Sequence, residues 1–229
     1  MNGRKVLLLT ASPRGAASVS RGLGEFLLSR LEERGMAIKS LPLYPALGDE
    51  KRMAELLAAV DMCSLLVVSF PLYVDHLPSP LIELLRQVAD RRAGRNGEAR
   101  QSLAAIVQCG FPETVHCRPA ADVVRLFAAQ AGFRFLGCLA WGMGGAVGGR
   151  ELKGTGGVAR HQLRALSEAS AFLAEDRELP AEVVARMGRP MMPRWFYNFM
   201  ADLGWKRTAK KHGTARRLRE RPYAEGGAD

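Results

Sequence analysis

The sequence has few cysteines and no spacing typical of a bound metal. Its four cysteines are Cys63, Cys109, Cys117 and Cys138, and no two of them form a C-x-x-C pair. The four histidines also lack the spacing of metal ligands. Buried, reduced thiols in a cytoplasmic protein without a metal site are therefore expected.

The sequence also has no long apolar run, and its first residues do not have the pattern of a leader peptide. No apolar run approaches the ~18 residues that a membrane-spanning helix needs. The first five residues lead into a predicted strand with no hydrophobic region or cleavage site, so we expect no secretion. A chain of 229 residues with 48% hydrophobic content predicts one globular domain, with room for an appendage.

Three common catalytic and nucleotide-binding motifs are missing. No G-x-G-x-x-G follows the first predicted strand, and no G-x-S-x-G is present. Lys153 precedes Gly154, so the glycine-rich region contains no G-K-[ST] sequence. These absences exclude the usual dinucleotide fingerprint, the Walker A loop and the nucleophile elbow of hydrolases.

The positive charge is concentrated near the carboxyl terminus. Residues 1–185 carry 22 Lys and Arg against 19 Asp and Glu, whereas residues 186–229 carry 11 against 4. The net charge is therefore +3 in the first part and +7 in the second. Because no nucleic-acid recognition motif accompanies this charge, we expect no nucleic-acid partner.

Strand-like and helix-like patterns alternate along the chain. The run 65–70 is apolar except at Ser69 and shows no polar alternation, which is typical of a parallel strand covered on both faces. The other predicted strands cover residues 5–9, 37–43, 103–109 and 133–141, and helical periodicity follows each strand. This order predicts an α/β fold, a flavodoxin-like three-layer sandwich with a five-stranded parallel sheet in the order 2-1-3-4-5. The predicted domains are 1–178 and a helical C-terminal extension, 179–229.

The loop after the first strand has the composition of an anion site. Ser12, Pro13 and Arg14 are followed by Ser18 and Ser20, directly before a predicted helix. A helix amino terminus carries about half a positive charge, and hydroxyls with an arginine can hold a phosphate such as that of FMN. The alternative is a Ser-Pro turn in which Ser18 or Ser20 caps the helix.

Unusual loops also follow three later strands, at the sheet edge where such folds bind ligands. The first contains Pro71, Leu72, Tyr73 and Val74, and its prolines restrict the backbone. The second contains Gly110, Phe111, Pro112 and Glu113, and Glu113 suits either the site or a helix cap. The third has eight glycines within residues 142–157, which fits either a lid or a flexible surface loop.

Taken together, these loops resemble the NADPH-dependent FMN reductase family of flavodoxin-like proteins. The stretch from Ser12 to Ser20 is similar to that family's phosphate loop, with Ala11 where glycine is usual. The resemblance covers about residues 4–175. It implies that cofactor contacts come from Ser12, Arg14, Ser18, Val19, Ser20, Pro71, Leu72, Tyr73, Val74, Gly110, Phe111, Pro112 and Glu113.

The function implied by the resemblance is that of an oxidoreductase. FMN would pass electrons from NADPH or NADH to a small acceptor, such as a quinone or flavin, in a homodimer. Backbone N–H groups of Leu72–Val74 and Gly110–Glu113 would contact the flavin ring, and no catalytic side chain is required. The alternatives are an electron carrier of the flavodoxin kind and a docked module without flavin turnover.

The predicted extension contains a helix with aromatic residues and a basic end. Trp195, Phe196, Phe199, Met200 and Leu203 share one helical face, and lysines and arginines follow them. This pattern favours docking on the body or on a second subunit. Contact with a membrane surface is the less favoured alternative.

Overall fold

The computed structural model describes residues 4–93, 101–147 and 157–221. The five strands are β1 (Lys5–Thr10), β2 (Ala37–Pro42), β3 (Leu65–Pro71), β4 (Ser102–Gln108) and β5 (Arg134–Trp141). The helices are α1 (Val19–Glu32), α2 (Glu50–Met62), α3 (Ser79–Arg92), α4 (Arg118–Gln130), α5 (Arg160–Ala174), α6 (Ala181–Met187) and α7 (Arg194–Lys211). None of the helices in these ranges is long and apolar enough to span a bilayer.

The strands form one parallel sheet in the order β2-β1-β3-β4-β5, which confirms the predicted order. Leu8 of β1 lies opposite Val67 of β3, and the same register places Thr10 opposite Ser69. Every residue of β3 is buried, including Ser69, as the absence of polar alternation in its sequence predicts. The sheet order reverses between β1 and β3, so a crevice is expected beyond the carboxyl ends of these two strands.

Alternate residues of the strands face two separate cores. Leu7 and Phe70 belong to the core that is completed by α2, α3 and α4. Leu8 and Val67 belong to the opposite core, which is completed by α1, α5 and α6. Because side chains alternate along a strand, each strand contributes to both cores, and both faces of the sheet are covered by helices. The loops at the carboxyl ends of the strands are then the segments available to form a site.

The first compact unit of the chain extends to residue 191, and the second contains residues 192–229. Val183 and Met187 of α6 are buried in the core that α1 and α5 share. The sequence assigned residues from 179 onward to the extension, whereas these contacts put α6 in the first unit. The apolar pattern of α6 is too short to assign this helix to either unit, and its packing against α5 and β5 places it in the first.

Asp176 connects the end of α5 to the amino ends of three strands. Its carboxylate accepts hydrogen bonds from Arg4 and Ser102, both at 2.6 Å, and lies 3.5 Å from Arg134. Burial tends to raise the pKa of the Asp176 carboxyl, but the hydrogen bonds from Ser102 and Arg4 outweigh burial and lower it. A lowered carboxyl pKa stabilises the fold above the pKa of the unfolded chain.

We expect Asp176→Asn to lower the free energy of unfolding by about 1 kcal/mol at pH 7, because the side chain is 38% exposed and partly screened by solvent. The difference from the parent should shrink as the pH falls from 7 through the lowered pKa of Asp176. Urea unfolding across this pH range measures it. Asp202→Asn removes a solvent-exposed i,i+4 pair and serves as control. A deficit that is the same at every pH would contradict the assignment.

Candidate functional site

A cleft of about 180 Å³ lies beyond the carboxyl ends of β1, β3 and β4. It is therefore at the point where the order of the parallel strands reverses. A larger cavity of about 310 Å³ lies instead by the amino ends of β1 and β2, where α/β sheets rarely bind ligands. The residues lining the cleft are Ser12, Arg14, Ser18, Val19, Pro71, Leu72, Tyr73, Gln108, Cys109, Gly110, Gly144 and Gly145.

The first loop brings hydroxyls and a helix start to this cleft. Ser18 caps α1, because its hydroxyl accepts a hydrogen bond of 3.2 Å from the Arg21 N–H. The Ser12 hydroxyl accepts one of 3.4 Å from the Arg14 N–H. Ser18 and Val19 both line the cleft, so the amino end of α1 faces it. Capping by Ser18 and an anion site at the same helix end are therefore compatible.

Among the described residues that line the cleft, Arg14 is the one cation. Arg14 is exposed, and no carboxylate among the described residues forms an ion pair with its guanidinium group. The neighbouring Arg21, in contrast, is paired with Glu25 at 2.6 Å. A guanidinium without a carboxylate partner, beside a helix amino terminus, is an arrangement that favours a bound anion.

Ser20 is held away from the cleft. It is buried in the first turn of α1, and its carbonyl accepts a hydrogen bond of 2.7 Å from the Ser69 hydroxyl. This bond joins α1 to β3. Ser20 is therefore not part of the cleft lining, and its backbone instead anchors the start of α1 to β3. The residues of the first loop that do line the cleft are Ser12, Arg14, Ser18 and Val19.

The loop after β3 contains a tight turn that the sequence did not predict. Tyr73 and His76 exchange two backbone hydrogen bonds, of 2.9 and 3.0 Å. The two residues between them, Val74 and Asp75, have φ angles of 49° and 58°. A β-branched residue in the left-handed region is strained, and Val74 is also 99% exposed. Tyr73 lines the cleft, whereas Val74, predicted as a cofactor contact, is not among the lining residues.

We expect Val74→Asn to raise the free energy of unfolding by about 0.5–1 kcal/mol, because asparagine tolerates the left-handed region. The exposed valine side chain has little packing to lose. Thermal unfolding checks the result. Val115→Asn, at an exposed position without positive φ, should bring no such gain. A destabilised Val74→Asn variant would mean that the valine side chain makes a contact in solution.

Two backbone N–H groups that were predicted to contact the flavin ring donate to carbonyl groups of the protein instead. The Leu72 N–H donates to the Gln108 carbonyl at 2.8 Å, and the Tyr73 N–H donates to His76. These two N–H groups therefore hold the loop in place and are not free for a ligand. What Leu72 and Tyr73 offer the cleft is surface, together with Pro71.

The loop after β4 contributes Gly110 to the lining of the cleft, whereas its next three residues are not part of that lining. A Cβ atom added at Gly110 would meet nothing within 4 Å, so the backbone borders open space. Phe111 stacks on His116 with ring centroids 4.3 Å apart, and His116 lies 3.6 Å from the Asp75 carboxylate. Phe111, Pro112 and Glu113, predicted as cofactor contacts, are not part of the lining.

The loops after β4 and β5 are joined through their backbones. The Met143 N–H donates to the Phe111 carbonyl at 2.7 Å, and the Gly144 N–H donates to the Cys109 carbonyl at 2.9 Å. A side chain at Gly144 would overlap the Gln108 amide. Residues 148–156 of the predicted lid lie outside the described residues, so the lid stays a prediction.

Gln108, Cys109, Gly144 and Gly145 line the cleft but were missing from the predicted contacts. Gln108 could have been found, because it is a polar residue at the end of an otherwise apolar strand. A hydrogen bond from Cys117 lowers the pKa of the Cys109 thiol, against the opposing effect of burial. Among the residues that the structure describes, no His, Cys, Asp or Glu group could hold a metal ion.

Comparison with known proteins identifies the architecture of this sheet and cleft. No protein-family model matches the sequence, and no curated protein matches it significantly. Solved structures do match this chain in fold. The fold is flavodoxin-like.

Three of the flavodoxin-like structures similar to this chain are described as oxidoreductases. An FMN-dependent NADH-azoreductase from Bacillus anthracis, in complex with FMN, aligns with a TM-score of 0.53 and 16% identity, over 75% of this chain and 99% of its own. Another azoreductase from that organism has a TM-score of 0.52 and 17% identity, over 76% and 99% of the two chains. A candidate quinone reductase from Klebsiella pneumoniae has a TM-score of 0.57 and 17% identity, over 78% and 88%. At these identities the likeness establishes the fold.

Proposed function

We propose that this protein is an FMN-binding, NAD(P)H-dependent oxidoreductase that passes electrons to a small acceptor such as a quinone or a flavin. The observation that carries the proposal is the cleft at the β1–β3 reversal, where Ser12, Ser18 and Arg14 surround the amino end of α1. These groups suit a phosphate that carries two negative charges.

The residues of the cleft fit the two ends of FMN. Ser12, Ser18 and Arg14 would hold the phosphate, while Tyr73 and Gly110 would border the ring. Tyr73 offers a partly exposed aromatic surface, and the backbone at Gly110 has open space beside it. When bound, FMN would accept a hydride from a nicotinamide and pass one or two electrons to an acceptor.

The chain's own contribution is binding and orientation. The turn from Tyr73 to His76 and the joined loops after β4 and β5 limit the freedom of the cleft walls. A rigid wall loses less entropy when a ligand binds, which strengthens binding without further contacts. The proposal requires no catalytic side chain, because the redox chemistry belongs to the cofactor.

Support for FMN also comes from the B. anthracis azoreductase, which has a comparable fold and whose structure contains FMN. The nicotinamide donor, the acceptor and a cytoplasmic homodimer follow from the family resemblance and are parts of the same proposal. Light scattering of the purified protein tests the dimer.

Anaerobic stopped-flow mixing tests the activity. After incubation with excess FMN and removal of unbound cofactor, the protein should keep flavin absorbance. NADH or NADPH should bleach it faster than it bleaches free FMN, and an added quinone should restore it. Retention of FMN without accelerated bleaching would favour a flavodoxin-type electron carrier. The absence of any flavin binding would contradict the proposal altogether.

A further inference from the structure

The second unit of the chain contains a helix with unusually exposed aromatic side chains. Helix α7 runs for 18 residues, from Arg194 to Lys211. Trp195 is 72% exposed, Phe199 is 59% exposed and Trp205 is 74% exposed. Exposed apolar side chains that form a continuous patch usually mark an interaction surface.

The exposed side chains of α7 follow a definite order along the helix. With 100° of rotation per residue, Trp195, Phe199 and Leu203 fall on one side of the helix. Lys206 and Lys210 lie on the same side of α7, in its last turns. One side of α7 is thus apolar in its first half and cationic in its second half, so a single partner surface would meet both.

The charge around this side is strongly positive. Residues 194–221 contain nine Lys and Arg against two acidic residues. Both acidic side chains are already paired, Asp202 with Lys206 at 2.6 Å and Glu220 with Arg217 at 2.7 Å. Within the described part of this segment, the cations without a carboxylate partner are Arg207, Lys210, Lys211, Arg216, Arg219 and Arg221.

This charge argues against a second copy of the same segment as the partner. Two copies that packed the segment 194–221 against itself would bring together two segments that each carry a net charge of +7. An anionic surface that also accepts aromatic side chains is complementary to both halves of the helix. Trp and Phe partition into the interface of a lipid bilayer, and lysine and arginine bind its anionic headgroups.

We propose that α7 and the segment 212–221 dock this protein on an anionic bilayer surface. The aromatic first half enters the interface, and the cationic second half lies at the level of the headgroup phosphates. The sequence pattern alone favoured a protein surface as the partner. The exposure of the aromatic side chains and the unpaired cations now favour lipid. This proposal is independent of flavin binding.

Vesicle co-sedimentation of the full-length protein tests the proposal. We expect binding to vesicles of phosphatidylcholine with phosphatidylglycerol, and little binding to phosphatidylcholine alone. High salt should release the protein, because exposed charges are screened. Tryptophan emission should shift to shorter wavelength on binding, since Trp195 leaves water.

Two variants separate the contributions of charge and aromatic side chains. The triple change Arg207→Gln, Lys210→Gln and Lys211→Gln should weaken partitioning about 100-fold, at roughly fivefold per cation. Trp195→Ala with Phe199→Ala should weaken binding and reduce the emission shift. A matched variant that removes three cations of the first unit, Lys51→Gln, Arg86→Gln and Arg125→Gln, should bind like the parent. Melting curves of all variants confirm that each is folded.

Four results would overturn the proposal. The first is no binding to anionic vesicles at low salt, and the second is equal loss of binding in the matched variant. The third is tighter binding to a DNA or RNA duplex than to the vesicles. The fourth is dissociation of a dimer by Trp195→Ala with Phe199→Ala in a protein that ignores vesicles, which would identify a second copy as the partner.

Discussion

Replacing Gly142 by alanine is expected to lower the free energy of unfolding by about 1–3 kcal/mol. A Cβ atom at this position would lie 2.7 Å from the Pro112 carbonyl oxygen and 2.8 Å from that of Phe111. Both are backbone atoms, so no side-chain rotation relieves the overlap. The loops after β4 and β5 would have to separate, and the hydrogen bond from Met143 to Phe111 would be strained.

Gly110→Ala is the matched control, because Gly110 borders the same cleft but has nothing within 4 Å of an added Cβ atom. The cofactor-free form of this variant should unfold at the same denaturant concentration as the parent. Its FMN affinity should nevertheless fall, because the new methyl group occupies space that the flavin needs. Urea unfolding of the cofactor-free proteins, followed by flavin titration, separates the two effects. Equal stability of the Gly142→Ala variant and the parent would contradict the close packing of the two loops.

The sheet was predictable because its signal is local and redundant. The run that became β3 is apolar except at Ser69, and a run of this length without polar alternation is typical of a strand buried on both faces. The region that became β2 has a weaker pattern, with Lys39 and Ser40 exposed at the edge of the sheet. It was still identified correctly, because the alternation of strands and helices leaves little choice for an element at that position.

The sequence predicted which loops line the candidate cleft, but it did not predict which residues of those loops face it. Parallel topology brings the carboxyl ends of β1, β3 and β4 together, so the loops that line the cleft follow from the fold. Which side chains face the cleft depends on bonds between distant segments. The Phe111 carbonyl is engaged by Met143, and Ser20 is tied to Ser69. No local pattern contains these contacts, so Phe111 and Ser20 were predicted as ligand contacts and lie outside the lining.

Loss of the Arg14 side chain is expected to weaken FMN binding by about 10- to 100-fold, the usual range for one charge-assisted hydrogen bond. Arg14 borders the cleft and has no carboxylate partner among the described residues, so its charge is available to a phosphate. Ser12→Ala should bring a smaller loss, because a neutral hydroxyl contributes less than a guanidinium. The double variant should lose at least as much affinity as Arg14→Ala, and isothermal titration with FMN measures each loss.

Riboflavin makes this test specific, because it has the same ring as FMN and no phosphate. If Arg14 and Ser12 hold the phosphate, their loss should weaken FMN binding and leave riboflavin binding unchanged. Arg21→Ala is the matched control, since Arg21 lies on α1 near the same loop but is already paired with Glu25. A loss that is equal for FMN and riboflavin would mean that Arg14 shapes the loop and does not bind the phosphate. Unchanged affinity for both ligands would move the phosphate site away from the amino end of α1, and the case for FMN would then rest on the fold alone.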